Sequence, residues 1–317
     1  MKIIGIGSAM PSLAVTNEML SVFLDTNDEW ISSRTGIKQR RIISKDSLKE
    51  LAAQASLQAI EDAGLTPKDI DFILCSNTVN NFVVPAFSCI IQGEIEAACP
   101  CMDLNVACSG FMYALFIADS LIETGKAKNI LVLCAEEASR IVNWNERDTC
   151  VLFGDGTAAV VLTEGDSFKS HHLSAHSKVE PLYYQRKLEY NPFMKNADGD
   201  APLVMKGKDV FKLAVSSSMS DIKTVLTKAN LQIDDIDFFL LHQANMRIIE
   251  AIRDNLKQPV EKFPHNIEKY GNTSSASIPI LLDELYREGK LEKGNKVVFS
   301  AFGAGFTSGA AILEWTK

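Results

Sequence analysis

Two stretches of this chain are near copies of each other, and they decide the fold. Residues 63–74 read AGLTPKDIDFIL and residues 229–240 read ANLQIDDIDFFL, with seven of twelve positions identical and no gap. The copies start at Ala63 and Ala229, an offset of 166. Because self-similarity at a fixed offset is typical of a duplicated structural unit, we expect the 317 residues to form two copies of one fold.

The sequence around each copy predicts a helix, a loop and a short buried strand. Apolar residues recur at helical spacing before each copy, and each copy ends in a nearly continuous apolar run that suits a sheet covered on both faces. Further strands are predicted at 129–133 and 158–162, with counterparts at 296–299 and 310–313. Alternating helices and strands in both halves predict an α/β sandwich with pseudo-twofold symmetry.

We place the boundary between the two halves after residue 165, which gives an N-terminal half over 1–165 and a C-terminal half over 166–317. Two stretches, 139–150 and 164–202, interrupt the repeat. The second one carries strong turn signals, namely Pro181, Asn191-Pro192 and Asp198-Gly199. Insertions of this kind usually border a functional site or an oligomer contact.

Composition and charge narrow the class of protein. The chain is 46 % hydrophobic and carries 32 basic and 40 acidic side chains, a formal net charge of −8. This acidic excess, without a long Lys/Arg run, argues against nucleic-acid binding and against a basic membrane patch. No apolar stretch approaches the roughly 18 residues of a spanning helix, so we expect no membrane association. Seven scattered cysteines indicate thiols in a reducing compartment, and we expect a cytoplasmic protein.

Cys108 is the first candidate for chemistry. It lies in VACSG, residues 106–110, directly before an apolar run over 111–118 that predicts a buried helix. The unpaired amides and the dipole at a helix N-terminus favour a thiolate, so we expect the pKa of Cys108 to lie below its ordinary value of about 8.5. A cysteine at the start of a buried helix is also often a packing residue, and from this position alone that interpretation stays open.

The duplication adds two residues to this candidate site. The same offset leads from Cys108 to Ser274, in a second small-residue turn before a helix. Equivalent helix starts of two symmetric halves should converge, so we expect Asn272 near Cys108. His242 ends the strand of the second copy as Ser76 ends that of the first, where α/β folds place their sites. Taken singly, Asn272 also fits a turn or cap residue and His242 a hydrogen-bonded strand end; the conjunction of the three residues predicts the site.

Two glycine-containing turns, 153–156 and 302–305, precede small-residue strands. Glycine there permits a close backbone approach and amides directed at a developing oxyanion. Neither turn has the spacing or the lysine of a phosphate loop. The remaining histidines and the Cys99-Pro-Cys101 segment lack a ligand framework, so we expect no metal.

With these residues collected, the chain resembles the β-ketoacyl-acyl-carrier-protein synthase III family, condensing enzymes of the thiolase-fold superfamily that initiate bacterial fatty-acid synthesis. The resemblance covers nearly the whole chain and implies a thiolase-like fold, two α/β halves in α-β-α-β-α layers. The motifs that carry it are DEWISSRTGI (28–37), ACSGF (107–111), LFGDG (152–156), LHQAN (241–245), YGNTSSASIP (270–279) and FGAGFT (302–307).

The resemblance implies a catalytic triad of Cys108, His242 and Asn272. Cys108 would take the acyl group from a starter acyl-CoA, and malonyl-acyl-carrier protein would then lose carbon dioxide while His242 and Asn272 donate hydrogen bonds to its enolate. The backbone amides of Cys108 and Ala304 would form the oxyanion hole, and Phe302 would press on the malonyl group. This chemistry requires no metal and no cofactor other than the acyl-CoA substrate.

The resemblance also implies how coenzyme A would bind. Trp30 and Arg147 match the residues that sandwich its adenine, and Arg34, Phe211 and Asn245 match those along its phosphate and pantetheine path. From the residues alone, Trp30, Arg34 and Arg147 could hold a phosphate-bearing aromatic ligand, or Trp30 could be an ordinary packing residue.

The carrier protein and a second subunit are the partners that the resemblance implies. Arg247 and Lys212 match positions at the tunnel mouth, where basic groups would meet an acidic carrier protein. The family forms homodimers, and Val84 stands on the segment that crosses into the partner's acyl pocket. The departures from the family pattern are Val84-Pro85 for Phe-Pro, Thr307-Ser308-Gly309 for Thr-Trp-Gly, and Asp254 and Asn255 where lysines are common.

Three alternatives compete with this interpretation. Cys, His and Asn occur in the same order in papain-like cysteine hydrolases, and the separation of His242 from Cys108 falls within their range, although the Cys-Gly-Ser-Cys-Trp signature is absent. A specialised homologue of secondary metabolism would keep the fold and nucleophile and change the acceptor. A catalytically silent partner protein would tend to lose the nucleophile, which is present here.

Overall fold

Helices and strands alternate along both halves of the chain, as the repeat predicts. The computed structural model of the protein describes residues 1–185 and 201–317. Its strands are β1 (Lys2–Ala9), β2 (Leu13–Thr16), β3 (Gln39–Ile42), β4 (Phe72–Ser76), β5 (Cys101–Leu104), β6 (Ile130–Glu137), β7 (Asp155–Thr163), β8 (Phe168–Lys178), β9 (Leu182–Gln185), β10 (Ala201–Met205), β11 (Phe238–Leu241), β12 (Lys296–Gly303) and β13 (Gly305–Glu314). Its helices are α1 (Asn17–Ser21), α2 (Asp28–Thr35), α3 (Leu48–Asp62), α4 (Phe87–Glu94), α5 (Gly110–Glu123), α6 (Arg147–Cys150), α7 (Gly207–Ala229), α8 (Met246–Leu256), α9 (Ile267–Tyr270) and α10 (Ser277–Arg287).

The two copies of the repeated stretch close the same turn in the same way. In each copy a 3₁₀ turn joins the helix, α3 or α7, to the strand, β4 or β11. The Asp69 carboxylate accepts the backbone N–H of Thr66 at 2.8 Å, and the Asp235 carboxylate accepts that of Gln232 at 2.7 Å. A side-chain acceptor thus satisfies a backbone donor at the same point of each copy, which explains why this aspartate is identical in both.

The two sheets repeat one strand order. The first sheet runs β1-β7-β6-β4-β5 and the second runs β11-β12-β13-β8. In the first sheet β4 pairs with β6 in parallel, and β6–β7 and β7–β1 are antiparallel. In the second sheet β11 pairs with β12 in parallel, and β12–β13 and β13–β8 are antiparallel. The strands β4, β6, β7 and β1 therefore correspond to β11, β12, β13 and β8, and the four further strands predicted from the sequence are confirmed within β6, β7, β12 and β13.

The expectation that 164–202 merely interrupts the repeat is wrong for part of its length. Residues 168–178 form β8, which pairs along β13 and is the counterpart of β1. As an edge strand, β8 is mostly half-buried or exposed and polar, so its sequence lacks the apolar run that marks the buried strands. The predicted boundary after residue 165 lies between β7 and β8. The predicted turns at 191–192 and 198–199 lie outside the described residues.

Five layers result from the packing of helices on both faces of both sheets. The central layer consists of α5 and α10, whose apolar side chains share one core with strands of both sheets. On the outside, α3 and α4 cover the first sheet and α7 and α8 cover the second. This is the predicted α-β-α-β-α sandwich. No helix in residues 1–185 or 201–317 is both long and apolar enough to cross a membrane.

The two central helices begin side by side at the pseudo-symmetry axis. A 3₁₀ turn precedes each one, Ala107–Ser109 before α5 and Ser274–Ala276 before α10, and the first residue of each turn is left-handed, with φ of 47° at Ala107 and 53° at Ser274. The offset between these two turns along the chain is one residue longer than the offset between the two repeated stretches. The counterpart of Cys108 is therefore Ser275, and the predicted match to Ser274 is wrong by one position.

Candidate active site

The three residues predicted to do the chemistry line one cavity. Cys108, His242 and Asn272 border a space of about 1750 Å³ at the ends of the central strands. Further predicted residues border it too, namely Trp30, Arg34, Phe211, Asn245, Arg247, Phe302 and Ala304, whereas Arg147, Lys212 and Val84 are not part of its lining. The fold thus brings together side chains from both halves of the chain, with the cysteine from the first half and the histidine and asparagine from the second.

The Cys108 thiol differs from the sequence-based expectation in its ionisation. Burial raises its pKa to about 12, the nearby Glu136 carboxylate adds to this, and a hydrogen bond from Ser274 only partly opposes it. The Ser274 Oγ lies 3.4 Å from the Cys108 Sγ. The predicted lowering of the pKa is wrong because Cys108 precedes α5 in a short 3₁₀ turn and loses more hydration than the helix terminus returns.

The His242 imidazole is neutral and points one nitrogen at the cavity. Its Nδ1 lies 2.7 Å from the Ser277 hydroxyl, and the Phe302 ring packs edge-on against it at 5.2 Å between ring centroids. The Nε2 atom is buried and has no hydrogen-bond partner among the described residues. Burial lowers the pKa of His242 to about 3, so the ring offers a ligand one unpaired nitrogen without a charge.

Asn272 is held in place by hydrogen bonds of its side-chain oxygen and of its backbone. Its Oδ1 accepts the backbone N–H of Ser274 at 2.8 Å, and its own backbone N–H donates to the Leu152 carbonyl, also at 2.8 Å. Two glycines allow this close packing of chains. A Cβ on Gly271 would lie 2.8 Å from the Leu152 carbonyl oxygen, and one on Gly154 would overlap the carbonyl oxygen of Tyr270. The predicted role of the first glycine turn in close backbone approach is thereby confirmed.

The second glycine turn approaches the nucleophile. A Cβ on Gly303 would lie 2.8 Å from the backbone nitrogen of Cys108, so only glycine lets the end of β12 come this near. The next residue, Ala304, lines the cavity beside that amide. Backbone amides of Cys108 and Ala304 thus lie on neighbouring segments at the same cavity wall.

At the cavity entrance, Trp30 lies between two guanidinium groups. The guanidinium carbons of Arg34 and Arg147 lie 4.6 and 4.7 Å from the centre of its ring. The Arg147 guanidinium also donates hydrogen bonds to the backbone oxygen and to a side-chain oxygen of Asp25. An aromatic ligand between Trp30 and Arg147 would need about 7 Å, twice a van der Waals contact. Arg147 lies closer to the Trp30 ring than that, and the adenine sandwich stays a prediction.

The chain matches known proteins over its entire length. A family model described as 3-oxoacyl-(acyl-carrier-protein) synthase III matches residues 102–180, and the model of that family's C-terminal part matches residues 226–315. A β-ketoacyl-(acyl-carrier-protein) synthase III of Clostridium acetobutylicum is 43 % identical over 100 % of this chain and 99 % of the relative.

Two solved structures extend the match to the fold. The crystal structure of the 3-oxoacyl-(acyl-carrier-protein) synthase III of Aquifex aeolicus superposes with a TM-score of 0.93 at 40 % identity, covering 99 % of both chains. The priming β-ketosynthase of a polyketide biosynthetic pathway superposes with a TM-score of 0.93 at 32 % identity, covering 100 % of this chain and 96 % of the other. This chain belongs to the β-ketoacyl-(acyl-carrier-protein) synthase III family. It is accordingly a thiolase-fold acyltransferase of fatty-acid biosynthesis.

The remaining synthase III positions are distributed around the entrance. Phe211 and Lys212 lie near the start of α7, and both are exposed. Asn245 caps α8 by accepting the Arg247 backbone N–H at 2.9 Å, and the Arg247 guanidinium donates to the Ser33 carbonyl at 2.9 Å. Arg247 and Lys212 are both exposed, and of the two only Arg247 lines the cavity.

Val84 lies away from the cavity of its own chain and is 80 % exposed. Its neighbours Phe82 and Val83 border the cavity and are exposed as well. A role in a partner's pocket, as the resemblance to synthase III implies, is compatible with this exposure and stays a prediction.

Sequence reasoning assigned no role to three residues that lie near Cys108 or His242. Ser274 contacts Cys108, Ser277 contacts His242, and Glu136 lies buried beside Cys108 at the end of β6. The repeat did point to Ser274, although as a symmetry mate and not as a neighbour. Glu136 and His242 both lie at the carboxyl end of a buried strand. This position is the signal by which the sequence could have identified Glu136. The described residues hold no group of three or more His, Cys, Asp or Glu side chains placed to bind a metal.

Proposed function

We propose that this synthase III condenses a starter acyl-CoA with malonyl-acyl-carrier protein, using Cys108 as nucleophile and His242 and Asn272 as hydrogen-bond donors. One observation supports this above all. His242, whose Nε2 has no hydrogen-bond partner among the described residues, and Asn272 border the same cavity as the Cys108 thiol. Two neutral donors next to a nucleophile suit a reaction in which negative charge develops on a substrate oxygen.

In the first half-reaction, the Cys108 sulfur attacks the thioester carbonyl of the acyl-CoA and releases coenzyme A. The backbone amides of Cys108 and Ala304 stabilise the oxyanion of the tetrahedral intermediate. Removing one such donor typically costs about 10²–10³ in rate. The tight packing of Gly303 on the Cys108 backbone supports this role, because it brings the two amides to one wall.

In the second half-reaction, the malonyl group loses carbon dioxide and its enolate attacks the acyl-cysteine. The Ser277 hydroxyl accepts the backbone N–H of Gln243 at 3.3 Å, and its own hydrogen donates to Nδ1 of His242. This places the ring proton on Nε2, where it stabilises the enolate oxygen together with Asn272. Phe302 packs on the imidazole and keeps water from the carbanion.

For the substrates, Arg34, Arg147 and Trp30 bind the nucleotide end of coenzyme A, while Phe211 and Asn245 line the pantetheine path. Arg147 moves off the Trp30 ring when adenine enters. Arg247 and Lys212 attract the acidic carrier protein, which an acidic enzyme otherwise repels. No metal or redox cofactor takes part.

We further propose a cytoplasmic homodimer. The exposed apolar segment at Phe82, Val83 and Val84 supports a partner subunit there. Sedimentation of the purified protein tests this, and a monomer at micromolar concentration would contradict it.

A second candidate function is priming of a specialised pathway. The structural match to a polyketide priming enzyme favours it, and so do the departures at Val84 and Ser308. Family membership, in contrast, decides against the cysteine hydrolase and the silent partner.

Acylation followed by condensation tests the proposal. Intact mass is recorded after incubation with acetyl-, isobutyryl- or octanoyl-CoA, and malonyl-acyl-carrier protein is then added. We expect a stable adduct that Cys108→Ala lacks, followed by release of carbon dioxide and a 3-oxoacyl product. An acyl-enzyme that forms normally but releases no carbon dioxide from the malonyl carrier would overturn the proposed acceptor.

A further inference from the structure

Arg40 is an arginine buried in the protein interior. It lies on β3 and is 0 % exposed. Its guanidinium donates hydrogen bonds to the backbone carbonyls of Val15 and Val151 at 3.1 and 2.7 Å. It donates another to the side-chain oxygen of Asn17 at 2.8 Å. Burying a cation among neutral acceptors is costly, and an apolar side chain could fill such a space at lower cost, so these hydrogen bonds point to a role beyond packing.

Through Asn17, Arg40 is connected to both ends of α2. The Asn17 side-chain nitrogen donates to the carboxylate of Asp28, the first residue of α2, at 2.8 Å. The same nitrogen donates to the carbonyl of Ile37, just beyond the end of α2, also at 2.8 Å. Asn17 is itself 0 % exposed, so water does not compete for these hydrogen bonds. The position of α2, and with it that of Trp30, is thereby fixed.

The same guanidinium also holds α6. Val151, whose carbonyl accepts the shortest of the hydrogen bonds from Arg40, is the C-cap of α6, the helix that begins with Arg147. Asn17 and Val151 bind different nitrogens of one planar group. Because the guanidinium is rigid, α2 and α6 are held at a set distance from each other, and so are the backbones of the residues that form the proposed adenine sandwich.

Arg40 also packs against the segment that holds Asn272. A Cβ on Gly154 would lie 3.2 Å from the Arg40 Cβ, and one on Gly271 would lie 3.3 Å from it. Gly271 precedes Asn272, and the Gly154 backbone N–H donates to the Asn272 carbonyl at 3.0 Å. One buried side chain thus contacts both the support of the adenine sandwich and the support of the catalytic turn.

We propose that Arg40 is a positioning residue that holds the two sides of the adenine sandwich, Trp30 and Arg147, in place relative to each other and to the Asn272 turn. This inference rests on the proposed binding of coenzyme A. With the backbones of α2 and α6 anchored, only the Arg147 side chain has to move when adenine enters. A pre-organised site of this kind loses less binding free energy to the ordering of loops and side chains.

Acylation by two thioesters tests the proposal. Acetyl-CoA carries the nucleotide, and acetyl-pantetheine presents the same thioester without it. Arg40→Lys keeps the Cβ and the charge but offers only one nitrogen, and Asn17→Ala removes the connection to α2. We expect each variant to lower the second-order rate constant of acylation by acetyl-CoA about three- to tenfold, as for the loss of a residue of the sandwich. The rate constant with acetyl-pantetheine should stay within about twofold of the wild type.

The double variant and a neighbouring arginine sharpen the test. Arg40→Lys combined with Asn17→Ala should lose no more than the larger single loss, because both act through one connection. The matched control is Arg41→Lys. The Arg41 guanidinium donates to carbonyls of the loop between β1 and β2, and this variant should react with both thioesters like the wild type. Should Arg40→Lys fail to fold, Asn17→Ala decides the question through the same pair of rate constants.

Three results would overturn the proposal. Equal losses with both thioesters would show general damage to the fold or the site. Variants whose preference for acetyl-CoA over acetyl-pantetheine equals that of the wild type would show that Arg40 does not act on the sandwich. Losses that multiply in the double variant would show that Arg40 and Asn17 act separately. If instead Trp30→Ala and Arg147→Ala leave that preference unaltered, the proposed coenzyme A site itself is wrong.

Discussion

The turns before α5 and α10 are the same structure with different chemistry. In both, an asparagine two residues ahead of a left-handed residue accepts that residue's backbone N–H, Asn105 from Ala107 at 3.3 Å and Asn272 from Ser274 at 2.8 Å. The first turn then carries Cys108, the proposed nucleophile, and the second carries Ser275 in its place. The backbone was duplicated, whereas the side chains have separate tasks.

The environments of the two asparagines differ in the same way. Asn105 is exposed, while Asn272 is buried against Leu152 and Gly154. A hydrogen-bond donor in a water-excluded site stabilises developing charge far better than one in contact with solvent. Burial, and not the turn motif, therefore distinguishes Asn272, which we propose to act on the substrate, from its counterpart Asn105.

Replacing Cys108, the proposed nucleophile, should have the largest effect on acylation. We expect Cys108→Ala to lose acylation by about 10³-fold or more, and its counterpart Ser275→Ala to keep the acyl-enzyme within a factor of ten. Intact mass after incubation with acetyl-CoA measures both. An acyl adduct on Cys108→Ala would show that another residue is the nucleophile and end the distinction between the two turns.

The next largest effect is expected at the asparagines. Asn272→Ala should still accept acyl groups but condense about 10²–10³-fold more slowly, because the enolate loses a donor. Asn105→Ala should condense within a few-fold of the wild type. Rates of carbon dioxide release and of acylation separate the steps. Equal losses in both variants, or an acylation defect in Asn272→Ala with normal decarboxylation, would contradict this division of roles.

The stability of the folded protein should depend on the ionisation of Glu136, which is buried at the end of β6. Since the pKa of Glu136 is about 7 when folded and about 4.3 when unfolded, the folded state binds more protons between these values, and its stability falls as pH rises through them. Glu136→Gln abolishes this fall. Its stability relative to the wild type should thus increase by up to about 3 kcal/mol from pH 4.5 to 8. Urea unfolding at both pH values checks this, and a difference independent of pH would refute the raised pKa.

The smallest effects are expected for two arginines, one in each half of the chain, that we propose bind different substrates. Arg147→Ala, in the first half, should raise KM for acyl-CoA three- to tenfold, roughly the loss of one cation–π contact and one phosphate contact, with little change in KM for malonyl-acyl-carrier protein. Arg247→Ala, in the second half, should raise KM for malonyl-acyl-carrier protein and change KM for acyl-CoA little. Steady-state kinetics with each substrate varied in turn provide the test. The same change in both constants for either variant would show that the two surfaces are not distinct.

Much of the site follows from sequence because its residues lie at repeat-related or strand-end positions. Cys108, Asn272 and His242 stand where duplication and strand ends place them, and the cavity unites them. Ser277 and Glu136 escaped notice because a serine in a helix and a glutamate after an apolar strand are common in any sequence. Only the hydrogen bond of Ser277 to His242 and the hydrogen bonds of Glu136 with Ser275 and Thr78 mark them.

The sequence by itself determined the duplication, the order of helices and strands, and the family, because these depend on local periodicity and on motifs that residues carry wherever they lie. Only the tertiary structure decided that burial raises the pKa of the Cys108 thiol, that Arg147 covers Trp30, and that β8 completes the second sheet. Ionisation depends on the water and charges that surround a group in space. An edge strand depends on the neighbour to which it hydrogen bonds, and neither is encoded in its own residues.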